Sequence, residues 1–303
     1  MGRHVLALLA ERGQTARTLL LPGDPAAEGI AAQGFEVVYG DITEAASLGP
    51  ALAGVRQVLH LAGLVNGGRG DPADFMRVNA GGTENLAHAA AEAGVEHLVY
   101  SSSITIYGLV RDAREDHPLE ATPGYPASKI AAEEHLRAIL PEQHTILRLP
   151  LVIGAGDAGF MLPAVQGFRQ SGQAVVVGSG QQPWSVLAAH DAARALLFAL
   201  DHPETRGGLY NVNGATITNG ELMQALGEAA GCTRTLRLPY ALAWSVALLG
   251  ELMGQGPLTR DQTKALSSPL SFDGSRFAAL GFEAGVDWRD ALTAGVNWAI
   301  ENL

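Results

Sequence analysis

The sequence predicts an α/β protein built on a doubly wound parallel sheet, and three observations support this. Short apolar segments alternate with longer segments of helical periodicity from residue 3 to residue 149. The short segments are apolar throughout, as expected for strands buried on both faces. Hydrophobic residues make up 47% of the 303 residues and charged residues 17%, which is typical of a packed protein. We therefore expect helices on both faces of the sheet and ligand sites at the carboxyl ends of its strands.

The first half of the chain gives its elements in order. Residues 3–12 have helical spacing and end at Gly13, and a short apolar strand at 16–21 is closed by the turn residues Pro22, Gly23 and Asp24. The same criteria predict strands at 35–39, 57–61, 97–101 and 145–149, and helices at 44–53, 72–93 and about 124–139.

After Gly154 the alternation becomes less regular. We expect strands at 174–177 and 210–212, and helices at 191–200, 241–253 and 288–302. Thr218 and Glu221 have the spacing of a capping box that opens another helix. The predicted domains are residues 1–154 and a smaller lobe, residues 155–303, interleaved with the last elements of the sheet.

Charge and cysteine content limit the possible partners. A net charge of −11 argues against nucleic acid or an anionic membrane as the main partner. The single cysteine, Cys232, excludes an internal disulfide and fits a reducing compartment. The apolar opening at residues 1–10 is too short for a signal peptide, and no stretch has the length of a membrane span, so we expect a cytoplasmic protein. The nine histidines are scattered, and we expect no metal site.

The most informative motif is Tyr125 and Lys129, four residues apart on a predicted helix. This spacing places a phenol and an ammonium on the same helix face, about one turn apart. Upstream, the apolar strand ends in the hydroxyl residues 101–103. Such groups can carry out acid-base chemistry, although a surface tyrosine and lysine on an ordinary helix would give the same pattern.

These residues resemble the extended short-chain dehydrogenase/reductase family, of the NAD-dependent epimerase/dehydratase type, and the resemblance runs in order through almost the whole chain. It implies a Rossmann-like domain at 1–154, a substrate lobe at 155–303 and hydride transfer with NAD or NADP. Ser103 would hold the substrate oxygen, and Tyr125 would be the acid-base. Lys129 would bind the nicotinamide ribose and lower the pKa of the phenol. Ser102 replaces Ser103 if the register slips by one.

The resemblance also implies a set of cofactor contacts. They are Gly2, Asp41, Ile42, Leu61, Ala62, Gly63, Tyr125, Lys129, Pro150 and Val152. Asp41 has the alternative role of a turn residue. Asn79 matches a helix asparagine that supports the site, and His60 is given no catalytic role. Leu20 and Leu21 occupy the position that distinguishes NAD from NADP, and neither the acidic nor the basic residue that decides this is present.

The chain departs from the family at its beginning. Family members begin with a strand and a glycine-rich turn that holds the cofactor pyrophosphate. Here the match begins at Gly2, so the first strand and two of the three glycines are missing. We expect a weakened pyrophosphate site. Our hypothesis is that the native product starts about a dozen residues upstream; the rival is a genuinely cofactor-deficient protein.

For the substrate, the resemblance favours a CH–OH or carbonyl group on an apolar molecule, as in the hydroxysteroid and dihydroflavonol branch. Trp184 stands where nucleotide-sugar enzymes carry an arginine, and residues 238–249 are strongly apolar, followed by Leu258, Thr259 and Arg260. That apolar stretch could equally be a core helix or a dimer-packing helix. The alternatives are a nucleotide-sugar epimerase/dehydratase and a non-catalytic dinucleotide sensor or scaffold. A homodimer is a further expectation from the family.

Overall fold

The structure is a computed structural model that describes residues 1–65, 70–253 and 259–303. It divides into two compact units. Unit 1 consists of residues 1–106, 118–149 and 192–210, and unit 2 of residues 107–117, 150–191 and 211–303. Every helix in the described residues is too short or too polar to cross a membrane.

Unit 1 alternates helices and strands as the sequence predicts. Its elements are α1 (Gly2–Glu11), β1 (Arg17–Leu20), α2 (Ala27–Ala32), β2 (Glu36–Tyr39), α3 (Leu48–Leu52), β3 (Gln57–His60), α4 (Pro72–Phe75), α5 (Gly82–Glu92), β4 (His97–Ser103), α6 (Tyr125–Ile139) and β5 (His144–Leu149). The later segment adds β9 (Gly208–Asn211) and most of α8 (Ala189–Asp201).

The strands of unit 1 form two separate sheets. One has the order β3-β4-β5-β9, and the other contains β1 and β2. The pairs β1–β2, β3–β4 and β4–β5 are parallel, as expected for strands joined by helices. In the described residues β1 has no partner besides β2, and β3 none besides β4.

The core of unit 1 lies around β4 and β5, which are buried along their whole length. Leu98, Ile146 and Leu136 are fully buried in one hydrophobic cluster with side chains from α3 and α5. Burial on both faces explains why these two strands read as continuous apolar segments in the sequence. The prediction of a doubly wound α/β fold is confirmed.

The predicted helix at 72–93 is helical throughout but not uniform. It begins as α4, continues as a π-helix over Met76–Gly81 and ends as α5. A π turn accommodates one extra residue and is often found at functional sites. Here it contains Asn79, whose role is described below.

Unit 2 is organised around a second hydrophobic cluster. Its further elements are β6 (Leu151–Ile153), α7 (Met161–Ser171), β7 (Gln173–Val177), β8 (Pro183–Ala188), β10 (Ala215–Thr218), α9 (Asn219–Ala229), β11 (Arg234–Leu238), α10 (Tyr240–Leu252), α11 (Arg260–Leu266), α12 (Ser275–Ala278) and α13 (Trp288–Glu301). The strands form the sheets β10-β8-β6 and β11-β7. The capping box of Thr218 and Glu221 is present at the start of α9.

Helix α10 buries its small residues and exposes its large ones. Ala243, Ala247 and Gly250 face the protein. Leu242 is 51% exposed and Leu249 59% exposed, and neighbouring apolar side chains are exposed as well. The exposed large side chains are therefore not core residues. The two other roles predicted for this helix, covering the substrate and packing in a dimer, stay predictions. The segment Leu258, Thr259 and Arg260, which resembles the hydroxysteroid and dihydroflavonol branch, begins outside the described residues, because the structure does not describe Leu258.

Candidate active site

The strand β4 ends in three buried serines whose hydroxyls have different surroundings. The hydroxyl of Ser102 donates to Glu133 Oε1 at 2.6 Å. Ser103 Oγ lies 3.0 Å from Thr105 Oγ1, and the Ser103 side chain lowers the pKa of the Tyr125 phenol. Ser103, and not Ser102, is therefore the serine that interacts with the tyrosine.

Tyr125 is the first residue of α6, and Gly124 sets its position. Gly124 has φ +97°, a conformation that residues with a Cβ rarely adopt. Pro126 follows within the first turn, where its missing N–H and fixed φ favour helix initiation. The ring of Tyr125 packs edge-on against Phe75, with 6.0 Å between centroids. The phenol is thus held half-buried at the helix start.

Lys129 lies one turn further along the same helix and is buried. Its Nζ donates to Tyr100 Oη at 3.0 Å and to the carbonyl oxygen of Ser101 at 2.9 Å. The same nitrogen lies 5.8 Å from the ring centroid of Tyr125. Lys129 therefore connects α6 with the end of β4, and the two residues of the sequence motif lie close together in the structure.

Asn79 fixes the segment after β3 to the start of α6. Its Oδ1 accepts from the backbone N–H of Leu64 at 2.6 Å, and its Nδ2 donates to the Leu64 carbonyl at 3.1 Å. Nδ2 also donates to Ser128 Oγ at 3.0 Å, and that hydroxyl donates to the carbonyl oxygen of Tyr125. The geometry agrees with the supporting role predicted for Asn79.

Gly63 forms a wall of the same site. A Cβ built on Gly63 would lie 3.0 Å from Asn79 Oδ1 and 3.9 Å from Lys129 Nζ. A side chain there would crowd the amide and the ammonium, so glycine keeps the backbone close to both. Leu61 and Ala62 precede it at the carboxyl end of β3, and both are at least partly exposed.

Behind Lys129, a cluster of buried polar groups continues into unit 1. Thr83 Oγ1 lies 2.8 Å from His60 Nε2. The rings of His60 and Tyr100 stack with 5.0 Å between centroids. No pattern in the sequence identifies Tyr100 or Thr83 as part of the site, and none gives His60 a partner.

Burial shifts the pKa values of the two central groups in opposite directions. Burial raises the pKa of Tyr125 to about 12, although the hydrogen bond from Ser103 lowers it. Burial lowers the pKa of Lys129 to about 8, against the opposing effect of the Glu133 carboxylate. Both shifts disfavour the charged form.

The expectation that Lys129 lowers the pKa of Tyr125 concerns the protein with its cofactor bound, and it stays a prediction. The ammonium is directed to Tyr100 and Ser101, and the desolvation of the phenol dominates. Tyr125 is therefore protonated at neutral pH and ready to act as an acid.

A buried ion pair supports α6 from the side of β5. Arg148 donates to both carboxylate oxygens of Glu133, at 3.0 and 2.6 Å, and both side chains are almost fully buried. A bidentate pair of this kind has a defined geometry. Because Glu133 lies on the same helix as Tyr125 and Lys129, the pair fixes the rotation of that helix.

The other predicted cofactor residues occupy the following places. Asp41 Oδ1 accepts from the backbone N–H of Thr43 at 2.8 Å, which is the alternative turn role. Ile42 is buried and packs against Gly82. Gly2 begins α1. Their contacts with a cofactor stay predictions, as do those of Pro150 and Val152, which lie in unit 2.

Trp184 is a core residue of unit 2 rather than part of a diphosphate site. It is 6% exposed, and its Nε1 donates to the carbonyl oxygen of Ser268 at 3.0 Å. In the described part of the chain, no three His, Cys, Asp or Glu side chains come together as a possible metal site.

The residues around Lys129 fit the nicotinamide-ribose end of a dinucleotide. An ammonium, a phenol and a serine hydroxyl lie beside the glycine wall at the carboxyl ends of β3 and β4. Ligands of open α/β sheets bind at such strand ends. Lys129, Tyr125 and the backbone of Gly63 would hold the ribose and the ring.

Comparison with known proteins identifies the family of the chain. The model of the NAD-dependent epimerase/dehydratase family matches residues 1–213. The chain belongs to this family. The prediction of a nicotinamide dinucleotide cofactor, NAD or NADP, is confirmed at this level, because the family is NAD-dependent.

Individual relatives are distant. The chain is 27% identical over 274 residues to the 4-hydroxy-2-methyl-3-oxo-4-farnesyl-3,4-dihydroquinoline-1-oxide ketoreductase of Stigmatella aurantiaca, covering 88% of this chain and 81% of the relative. It is 29% identical to the sterol demethylase protein B of Methylococcus capsulatus, covering 82% and 77%. The UDP-glucose 4-epimerase of Thermus thermophilus, solved with NAD, is 22% identical with TM-score 0.77, covering 100% and 96%. The similarity to this epimerase structure shows a shared fold alone.

Proposed function

We propose that this protein is an NAD- or NADP-dependent oxidoreductase that interconverts a CH–OH group and a carbonyl on an apolar substrate. The observation that carries the proposal is the position of the buried ammonium of Lys129, which lies 5.8 Å from the ring centroid of Tyr125 and is bound to the end of the strand that carries Ser103. This is the arrangement needed to hold a carbonyl oxygen and give it a proton.

Each residue has a distinct role in this proposal. Ser103 Oγ holds the substrate oxygen, and Tyr125 Oη gives it a proton during reduction. Lys129 carries the positive charge that favours the phenolate left behind. When bound, the nicotinamide supplies or accepts the hydride.

The pKa of Tyr125 supports reduction as the direction favoured at neutral pH. With a pKa raised to about 12, the phenol is protonated and can act as an acid without a prior step. Oxidation of an alcohol needs the phenolate, which requires the positive charge of Lys129 and of an oxidised ring nearby.

Two observations support an apolar substrate. Helix α10 presents large apolar side chains, among them Leu242, Val246 and Leu249, away from its own unit. Two relatives carry names that refer to apolar molecules, a farnesyl-substituted ketone and a sterol. By contrast, Trp184 takes the place of the expected diphosphate-binding arginine and is buried in the core.

The proposal is tested by following oxidation of NADH and NADPH with a panel of steroid and prenylated ketones, and by following conversion of UDP-glucose by chromatography in the presence of NAD, because epimerisation consumes no net cofactor. Tyr125→Phe is expected to lower kcat by about 10²-fold or more, because the proton donor is lost. Tyr39→Phe, which removes an exposed phenol in the same unit, is the matched control and keeps its activity.

Each alternative gives a different result. Full activity in Tyr125→Phe with an unchanged melting temperature overturns the assignment of the acid. Turnover of UDP-glucose but of no ketone supports the nucleotide-sugar reading. Dinucleotide binding without turnover of any substrate supports a sensor or scaffold.

A further inference from the structure

We propose that Tyr100 is a positioning residue, whose phenol holds the Lys129 ammonium beside a buried polar cluster that includes Thr83 and His60. The inference rests on the proposed function for its catalytic meaning. Its geometry does not depend on that function.

The four residues lie inside unit 1. Lys129 Nζ is 3.0 Å from Tyr100 Oη, the rings of Tyr100 and His60 stack with 5.0 Å between centroids, and Thr83 Oγ1 is 2.8 Å from His60 Nε2. The exposed fractions are 5% for Lys129, 1% for Tyr100, 0% for Thr83 and 2% for His60. Polar groups buried to this extent remain stable only when their hydrogen bonds are satisfied.

The direction of the hydrogen bond between Lys129 and Tyr100 is fixed. An ammonium has only donors, so Lys129 donates and Tyr100 accepts. Thr83 Oγ1 and His60 Nε2 share a hydrogen bond in which the donor depends on the histidine tautomer. Burial and the nearby ammonium lower the pKa of His60 to about 3, so the ring is neutral and its Nε2 can accept. Burial raises the pKa of Tyr100 well above its usual value, so the phenol keeps its proton.

The position of Lys129 depends on Tyr100 because few acceptors reach the ammonium. Among the described residues, its hydrogen-bond acceptors are the Tyr100 phenol and the Ser101 carbonyl, both from β4. The ionisable groups around it are Tyr100 from β4, His60 from β3, and Tyr125 and Glu133 from its own helix. The carboxylate of Glu133 is bound to Arg148, which leaves the phenol of Tyr100 as the neutral anchor.

Removing the Tyr100 hydroxyl leaves a buried ammonium with one acceptor fewer. A hydrogen bond to a charged donor stabilises the charged form, so its loss lowers the pKa of Lys129 further below the value of about 8. At neutral pH a fraction of the lysine then loses the charge that the reaction needs.

The sequence makes this directly measurable, because the protein contains only two lysines, Lys129 and Lys264. Lysine labelled with ¹⁵N at Nζ gives one signal for each residue, and the pH titration of both is followed in the full chain without cofactor or substrate. In Tyr100→Phe we expect the titration midpoint of Lys129 to fall by about one pH unit, while that of Lys264 is unchanged.

A second pair of variants tests the cluster beyond Tyr100. Thr83→Val removes the hydroxyl that interacts with Tyr100 and His60, with little change in shape, and it is expected to move the Lys129 midpoint in the same direction by less. Thr83→Ser keeps a hydroxyl and restores the midpoint. Tyr210→Phe changes another buried tyrosine of unit 1 and leaves the Lys129 midpoint where it is.

The inference is overturned if folded Tyr100→Phe titrates like the wild type, or, should that variant not fold, if Thr83→Val does. This outcome is independent of turnover, so it is distinguishable from a failure of the proposed oxidoreductase activity. In active protein, Tyr100→Phe is expected to lower kcat more than it raises KM, and to move the alkaline limb of the pH profile toward lower pH.

Discussion

Ser102 and Ser103 are neighbours in β4, yet their hydroxyls have unrelated tasks. Ser102 satisfies a buried carboxylate oxygen of Glu133, and Ser103 meets the phenol of Tyr125. Side chains alternate along a strand, so adjacent residues face opposite sides of the sheet. Assigning the substrate-binding role to Ser102 instead of Ser103 would therefore mistake a structural hydroxyl for one that takes part in the reaction.

Alanine substitutions separate these two roles. Ser103→Ala is expected to lower kcat by about 10²-fold with little effect on stability, because it removes a group that holds the substrate oxygen. Ser102→Ala is expected to lower the free energy of unfolding by about 1 to 3 kcal/mol, because a buried carboxylate loses a donor. Steady-state kinetics and urea unfolding of both variants check this, and an exchange of the two effects would mean that the register is wrong.

At the residue scale, local spacing was sufficient to predict which groups meet. Tyr125 and Lys129 are brought together by the helix itself, and Ser103 by the end of a strand that ends in hydroxyls. Tyr100 could not be predicted in the same way, since its contact with Lys129 depends on how α6 packs against β4.

At the scale of elements, the contact between α6 and β5 depends on one buried ion pair. Arg148 and Glu133 are 2% and 0% exposed at their side chains, so neither charge is stabilised by water. Breaking such a pair leaves one charge buried without its partner, which costs far more than losing a pair at the surface.

We expect Arg148→Met to lower the free energy of unfolding by about 3 to 5 kcal/mol. The matched control is Arg56→Met, because Arg56 also forms a bidentate pair, with Glu96, but at the surface. That variant is expected to cost at most about 1 kcal/mol. Combining Arg148→Met with Glu133→Leu should recover part of the loss, and a double variant less stable than Arg148→Met would contradict this account. Urea unfolding measures all three.

The elements of unit 1 were easier to predict than those of unit 2. Strands such as β4 and β5 are buried on both faces and read as continuous apolar segments. The strand β11, Arg234–Leu238, is mostly exposed and contains two arginines, so it has no apolar pattern to identify it. The π-helix at Met76–Gly81 depends on tertiary packing, which periodicity alone does not reveal.

At the scale of the molecule, the buried histidines of unit 1 make the fold sensitive to acid. Burial lowers the pKa of His60 to about 3, that of His97 to about 4, and that of His144 below its usual value. The unfolded chain binds these protons near pH 6.5, whereas the folded chain excludes them. Their contribution to stability is therefore complete above pH 6.5 and is lost as the pH falls toward 4.

We expect the free energy of unfolding to fall between pH 6 and pH 5 by about 1.4 kcal/mol for each histidine that stays neutral in the fold. Urea unfolding at several pH values measures the slope. His97→Gln should reduce the slope by the contribution of one histidine. His88→Gln, at an exposed position, should leave the slope unchanged. A slope that stays the same in His97→Gln would mean that its protonation is not coupled to folding.

The chain passes between the two units five times, since each unit consists of three separate stretches of sequence. A single cut therefore cannot release either unit as an intact product. A fragment that ends at residue 154 would lack β9 and the buried residues of α8, such as Leu196, which come from a stretch almost forty residues further on. Each unit is complete only when all three of its stretches are present. Producing either unit alone would therefore require joining its stretches in a rearranged sequence, because a truncation cannot do so.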